Sequence, residues 1–199
     1  LDVSSLVNLT GLSCAGNQLS GLNLSTNIEL QWLSCSNNNI TSLALNHLTH
    51  LYALTCSFNP ITSLDLSNML GLQEVYASNN QLTELNVAGS WNILYLYANF
   101  NQLTTFVLNG VFDALELNNN QLTSLDLSGY EGKEYYLWGF HNNPDLHCVD
   151  VNDVEYAEDN WTSLFDAGVS FSTDCDGTES AGRMASISTY PNPVVDKVT

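Results

Sequence analysis

Two glutamates and three tyrosines near the middle of the chain are its most chemically capable side chains. Glu74, Tyr76, Tyr95, Tyr97 and Glu116 alternate with aliphatic residues in the segments "QEVYA", "ILYLYANF" and "ALEL". Two carboxylates held about 6.5–9.5 Å apart could serve inverting glycoside hydrolysis, one as acid and one as base. Rings set among carboxylates and amides suit recognition instead, because rings supply contact area at low entropic cost while polar groups orient the ligand.

Elsewhere the chemistry is sparse. There is no P-loop, no G-x-S-x-G elbow, no H-E-x-x-H and no C-x-x-C. No nucleophile stands at a catalytic spacing from His47, His50 or His147. The acidic stretches "DVNDVEYAED" (150–159) and "DCDGTE" (174–179) could gather oxygen ligands for Ca²⁺. Solvated acidity is the simpler account, and no cofactor is expected.

Charge narrows the partners. Three basic residues, Lys133, Arg183 and Lys197, face 21 acidic ones, a formal net charge of -18. Such a chain repels phosphate backbones and anionic lipid headgroups, which argues against nucleic acid. No apolar run is long enough to span a bilayer, so membrane insertion is not expected.

The elements that would position the tyrosines follow from an internal repeat. "LTGLSCAGNQLSGLNLSTNIE" (9–29), "LQWLSCSNNNITSLALNHLTH" (30–50) and "LYALTCSFNPITSLDLSNMLG" (51–71) align without gaps. Copies continue from 72, 93 and 111, and "YYLWGFHNNPDLHCVDV" (135–151) is a degenerate one. An Asn recurs in register at Asn17, Asn38, Asn59, Asn80, Asn101, Asn120 and Asn143. A unit this short cannot bury its apolar stripe alone, but stacked units share one continuous core. Alternate strand residues face opposite ways. The L-x-(C/A/L) pair therefore points inward, and the intervening residues point out. The Asn amide then satisfies backbone groups that the following turn would leave buried. Returning stretches place Leu22/Leu24, Leu43/Leu45, Leu64/Leu66 and Leu125/Leu127 inward on the opposite side.

Around each Asn the pattern L-x-x-L-x-(C/A/L)-x-x-N-x-(L/I)-x-x-L-x-L resembles the leucine-rich repeat family. That resemblance implies a solenoid, a right-handed coil or horseshoe. Short parallel β-strands would form its concave face, with an irregular or extended convex side and a disulfide-stapled C-terminal cap. It also implies a protein-binding scaffold. In this frame Cys14, Cys35 and Cys56 occupy an inward column and act as small apolar filler. Cys148 and Cys175 lie outside the repeat, where a disulfide suits a capping segment and an oxidising, extracytoplasmic location.

After Cys175 comes a Gly/Ser-rich linker and then "YPNPVVDKVT". Tyr190, Pro191, Asn192, Pro193, Val194, Asp196 and Val198 resemble the opening of the C-terminal sorting domain of the type IX secretion system of Bacteroidetes. The expected organisation is a solenoid over 1–146, incomplete at its N-terminal end, a cap over 147–176, a linker over 177–189 and a truncated sorting domain from 190. Its partners would then include the type IX machinery.

The outward columns carry the candidate site. Trp32, Glu74 and Tyr95 share the first, Tyr76, Tyr97 and Glu116 the second, Asn99, Asn118 and His141 the third. The three tyrosines should meet on adjacent strands, with the polar residues around them and Trp32 further up. Phe58 and Phe100 follow one residue beyond the third column. A convex rank of Ser20, Thr41, Thr62, Thr83, Thr104 and Thr123 reads as a hydroxyl ladder rather than a crystal-binding surface. The reading is a non-catalytic extracellular recognition module, secreted or at the cell surface, that binds a protein through its concave face. Polysaccharide binding, hydrolysis by Glu74 and Glu116, and a spacer role are the alternatives.

Overall fold

In a computed structural model, residues 1–108, 112–130 and 137–175 are described. The linker at 177–189 and the Y-P-N-P segment at 190–199 lie outside them. Thirteen three-residue strands follow one another: β1 (Gly11–Ser13), β2 (Trp32–Ser34), β3 (Ala53–Thr55), β4 (Ser63–Asp65), β5 (Glu74–Tyr76), β6 (Glu84–Asn86), β7 (Tyr95–Tyr97), β8 (Thr105–Val107), β9 (Ala114–Glu116), β10 (Ser124–Asp126), β11 (Leu137–Gly139), β12 (Cys148–Asp150) and β13 (Ser170–Ser172). A helix α1 (Val154–Asn160) and a 3-10 turn (Thr162–Leu164) lie between the last two.

One parallel sheet, ordered β1-β2-β3-β5-β7-β9-β11, forms the concave face. Its register runs Gly11, Trp32, Ala53, Glu74, Tyr95, Ala114, Leu137 across the strands. Each step matches the spacing of the repeated Asn, including the shortened and lengthened coils. The opposite side carries two smaller parallel sheets, β4-β6 and β8-β10-β12-β13. Convex pairing therefore begins only at β4. In the two coils before it Leu22 and Leu43 are half-buried, whereas Leu24, Leu45, Leu64, Leu66, Leu125 and Leu127 are fully buried.

The inward strand residues Leu33, Leu54, Val75, Leu96 and Leu115 form one file of the core, and Cys35, Cys56, Ala77, Ala98, Leu117 and Phe140 form the next. Burial pushes the Cys35 thiol up to about 12 and the Cys56 thiol well above its ordinary value. Neither supplies the thiolate that reactivity needs.

The Asn residues interlock the coils. The Asn101 amide donates to the carbonyls of Ala98 in its own coil and Ala77 in the preceding one, while its oxygen accepts from the Leu82 N–H. Asn38, Asn59, Asn80, Asn120 and Asn143 repeat this arrangement. Asn17, in the first described coil, donates to Cys14 and Ala15. Each shared carbonyl thus takes two amide donors, one from the Asn of its own coil and one from the Asn of the following coil. On the convex rank, the Thr83 and Thr123 hydroxyls donate to the Thr62 and Thr104 carbonyls.

At the C-terminal end Phe165 stacks on Phe140 at 4.7 Å and meets Phe171 edge-on. Trp161 packs on Tyr130. Cys148 and Cys175 form a disulfide that ties the segment to β12. Two carboxylates of the acidic run at 150–159 have structural partners: Asp153 caps α1 by accepting from the Tyr156 N–H, and Asp150 accepts from the Cys175 N–H. Among the described residues no group of three or more His, Cys, Asp or Glu is placed to hold a metal. Residues 176–179 of the second acidic stretch lie outside them. No helix among the described residues is long and apolar enough to cross a membrane.

Candidate functional site

Strands β5 and β7 place Glu74 beside Tyr95 and Tyr76 beside Tyr97. The Tyr76 and Tyr97 rings stack with centroids 5.1 Å apart and planes 4° from parallel. One face of each ring is covered by the other. Their remaining faces turn toward the neighbouring coils, where Thr55 pairs with Tyr76 and Glu116 with Tyr97. Tyr95 lies in the adjacent column, and its other partner, Ala114, is buried despite its outward position.

Desolvation, then the nearby Glu74 charge, then Tyr95 raise the Tyr76 hydroxyl above its ordinary value. Desolvation, Glu116, Tyr76 and Tyr95 do the same to Tyr97. These groups resist ionisation in the folded chain, so they lower its stability above the ordinary tyrosine range near pH 10, where the unfolded chain ionises freely. In an ultraviolet titration two tyrosines should ionise at higher pH than free tyrosine. Glu74→Gln should bring Tyr76 back toward its ordinary value, and Glu116→Gln should do so for Tyr97.

Glu74 and Glu116 sit two strands apart and one column across. Strand spacing puts their backbones roughly 12 Å apart, with the tyrosine strand between them. Glu116 is oriented by the Asn99 amide, which donates to its carboxylate at 2.6 Å. Asn99 belongs to a second polar file that the sequence did not announce. The Asn99 N–H donates to the Ser78 hydroxyl, the Asn118 N–H to the Asn99 oxygen, and the His141 N–H to the Asn118 oxygen. The Asn118 amide lies over Gly139, where an added Cβ would meet it at 2.6 Å. Both asparagines therefore bind backbone first and present only their remaining valence outward.

His141, expected around the tyrosines, has another partner, and Trp32 lies further up the sheet on β2. His141 turns toward the cap and pairs with Asp166 at 3.7 Å. The N–H groups of Asn142 and Asn143, with His141, hold the Asp166 carboxyl below its ordinary value. Trp32 folds over Gly11, where an added Cβ would fall 2.3 Å from the indole. The missing side chain at Gly11 opens the space that draws the indole toward β1, away from β5.

The residue before each ladder Asn, where the sequence shows Phe58 and Phe100, has a left-handed backbone that the spacing alone did not reveal. Gly16, Asn37, Phe58, Asn79, Phe100, Asn119 and Asn142 all have φ between 55° and 69°. Glycine and asparagine tolerate this left-handed backbone, but a bulky ring there costs about 1–2 kcal/mol. Phe58 and Phe100 nonetheless occupy it, 59% and 54% exposed. Phe58→Asn and Phe100→Asn should each unfold at an unchanged or higher temperature, since relief of backbone strain offsets the little packing that such exposed rings provide. Thermal unfolding monitored by circular dichroism checks this.

Neither protein-family models nor curated proteins match the sequence. Among solved structures the chain is similar to the functional domain of InlJ from Listeria monocytogenes, described as including a cysteine ladder. The TM-score is 0.54 at 24% identity, over 78% of this chain and 48% of that one. It is also similar to the APL1 leucine-rich repeat domain, with TM-score 0.48 and 18% identity over 73% of this chain and 49% of that one. The chain spans about half the length of these two solved chains. The likeness to InlJ, added to the parallel strands stacked in register, gives the chain the fold of a leucine-rich repeat solenoid.

Proposed function

We propose that the chain is a recognition module that binds a protein partner through its concave face. One observation carries the reading. Outward aromatic rings concentrate on β5 and β7, with Tyr76 stacked on Tyr97 and Glu74 and Glu116 beside them, while the preceding strands offer Gly11, Ser13, Ser34, Ala53, Thr55 and a single ring, Trp32, folded over Gly11. If the stack were there only to stabilise the sheet, rings would be expected along its whole length. The tyrosine strand between Glu74 and Glu116, and the Asn99 amide bound to Glu116, support recognition over hydrolysis. The disulfide supports an oxidising, extracytoplasmic location, secreted or at the cell surface. The likeness of residues 190–199 to a sorting domain supports export by the type IX machinery.

The test is capture by the chain set against capture by Tyr76→Ala/Tyr97→Ala, with a polysaccharide array run in parallel. Affinity for the captured protein should fall about 100-fold in the variant, the scale of a buried aromatic hot spot. Its melting temperature should stay within a few degrees. An equal affinity in the variant would make the stack structural. Binding to the polysaccharide array alone, lost in the same variant, would replace the protein with a glycan.

A further inference from the structure

We propose that the occupant of the tyrosine surface is a cationic polypeptide segment, which presents lysine or arginine to Glu74 and Glu116 and an apolar side chain to Phe58 and Phe100. The inference rests on the recognition reading above and names the partner of the same surface.

Charge complementarity is the first support. All three Lys and Arg residues of the chain, Lys133, Arg183 and Lys197, lie outside the described residues. Against these three the chain sets 21 acidic residues, so the field around Glu74 and Glu116 is negative. The Asn99 amide orients the Glu116 carboxylate without cancelling its charge. A guanidinium or ammonium placed between these flanks meets carboxylates and the outer faces of a tyrosine stack, and ring faces attract cations. An acidic segment would be repelled by the same field.

The two phenylalanines are the second support. They sit at the end of the same outward run, two coils apart, with the shorter Asn79 between them at the same backbone conformation. Strand spacing sets their backbones about 10 Å apart, with only the shorter Asn79 side chain on the coil between them. Phe100 lies five positions after Tyr95, at most about 16 Å along the chain. An extended peptide of similar length can therefore touch the ridge and the tyrosines together. Rings kept at strained positions where every other coil carries Gly or Asn point to a use for the rings themselves.

The experiment pans a random peptide library against the chain and measures the best synthetic peptide by fluorescence anisotropy at low and high salt. Enriched peptides should combine Lys or Arg with an apolar residue. Glu74→Gln/Glu116→Gln should weaken the best one at least about tenfold and flatten its salt dependence. Phe58→Asn/Phe100→Asn should weaken it as much while leaving the melting temperature unchanged or higher. The same two charges removed elsewhere, by Glu84→Gln/Glu158→Gln, should change affinity less than about twofold, which separates this surface from the general field. Neutral or acidic winners, or an equal loss in the Glu84/Glu158 control, would overturn the cationic inference. If such peptides still depended on Tyr76 and Tyr97, recognition by this face would stand without it. Peptides indifferent to the tyrosines, or no enrichment at all, would remove both.

Discussion

Asn101→Ala destabilises the chain by about 3–4 kcal/mol, measured by urea unfolding. The side chain makes three bonds to buried backbone: it donates to Ala77 and Ala98 and accepts from the Leu82 N–H. The two carbonyls each keep one partner, because Asn80 also donates to Ala77 and Asn120 also donates to Ala98. The Leu82 N–H keeps none from this side chain and must sit buried without it. One orphaned donor and two weakened acceptors give the stated loss. Asn101→Asp should be at least as damaging. It keeps an acceptor for Leu82 but sets a buried negative charge against two carbonyl oxygens. Asn17, exposed in the first described coil, should tolerate the same change to Ala with a much smaller loss, since its bonds to Cys14 and Ala15 lie near solvent.

Cys148→Ser/Cys175→Ser costs about 3.5 kcal/mol by the chain-entropy argument, given a separation of 27 residues between the cysteines. The loss should be local at first. In a stacked repeat each coil leans on its neighbours, so an opened end exposes the next apolar layer. Here that layer is Phe140, covered by Phe165, with Phe171 against Phe165. The variant, or the chain under reductant, should bind a hydrophobic dye and show faster amide exchange from Val149 to Phe171, while the coils around β2 and β3 exchange slowly. Slow exchange across the end in the reduced chain would show that aromatic packing alone holds it.

The repeated Asn made most of the architecture legible. Its spacing told which residues share a column, and the register of the long sheet follows it through the shortened coil at β9 and the lengthened one at β11. The adjacency of Tyr76 and Tyr97 came from the same arithmetic. What it could not tell was where a polar side chain spends its hydrogen bonds. Asn99 and Asn118 sit in an outward column, yet each accepts from the next coil's backbone, a use that periodicity does not separate from ligand contact. His141 was out of reach for another reason. Its partner Asp166 comes from the aperiodic segment after β12, whose path no repeat encodes. The seat of the Trp32 indole was readable within its column, because the residue beside it is Gly11, which leaves room for an indole. The strained phenylalanines were also readable. Gly16, Asn37, Asn79, Asn119 and Asn142 already spell a left-handed position, and Phe58 and Phe100 break the series.

Hydroxyl-radical footprinting of the chain with and without its captured partner reads each aromatic residue in one experiment, and so decides whether the tyrosine surface is where the partner sits. Tyr76, Tyr95 and Tyr97 should lose reactivity when the partner is bound, while the exposed Tyr52 and Trp91, which lie off the concave strands, do not change. Protection at Trp91 or Tyr52 with the three tyrosines unaltered would contradict recognition by the concave face.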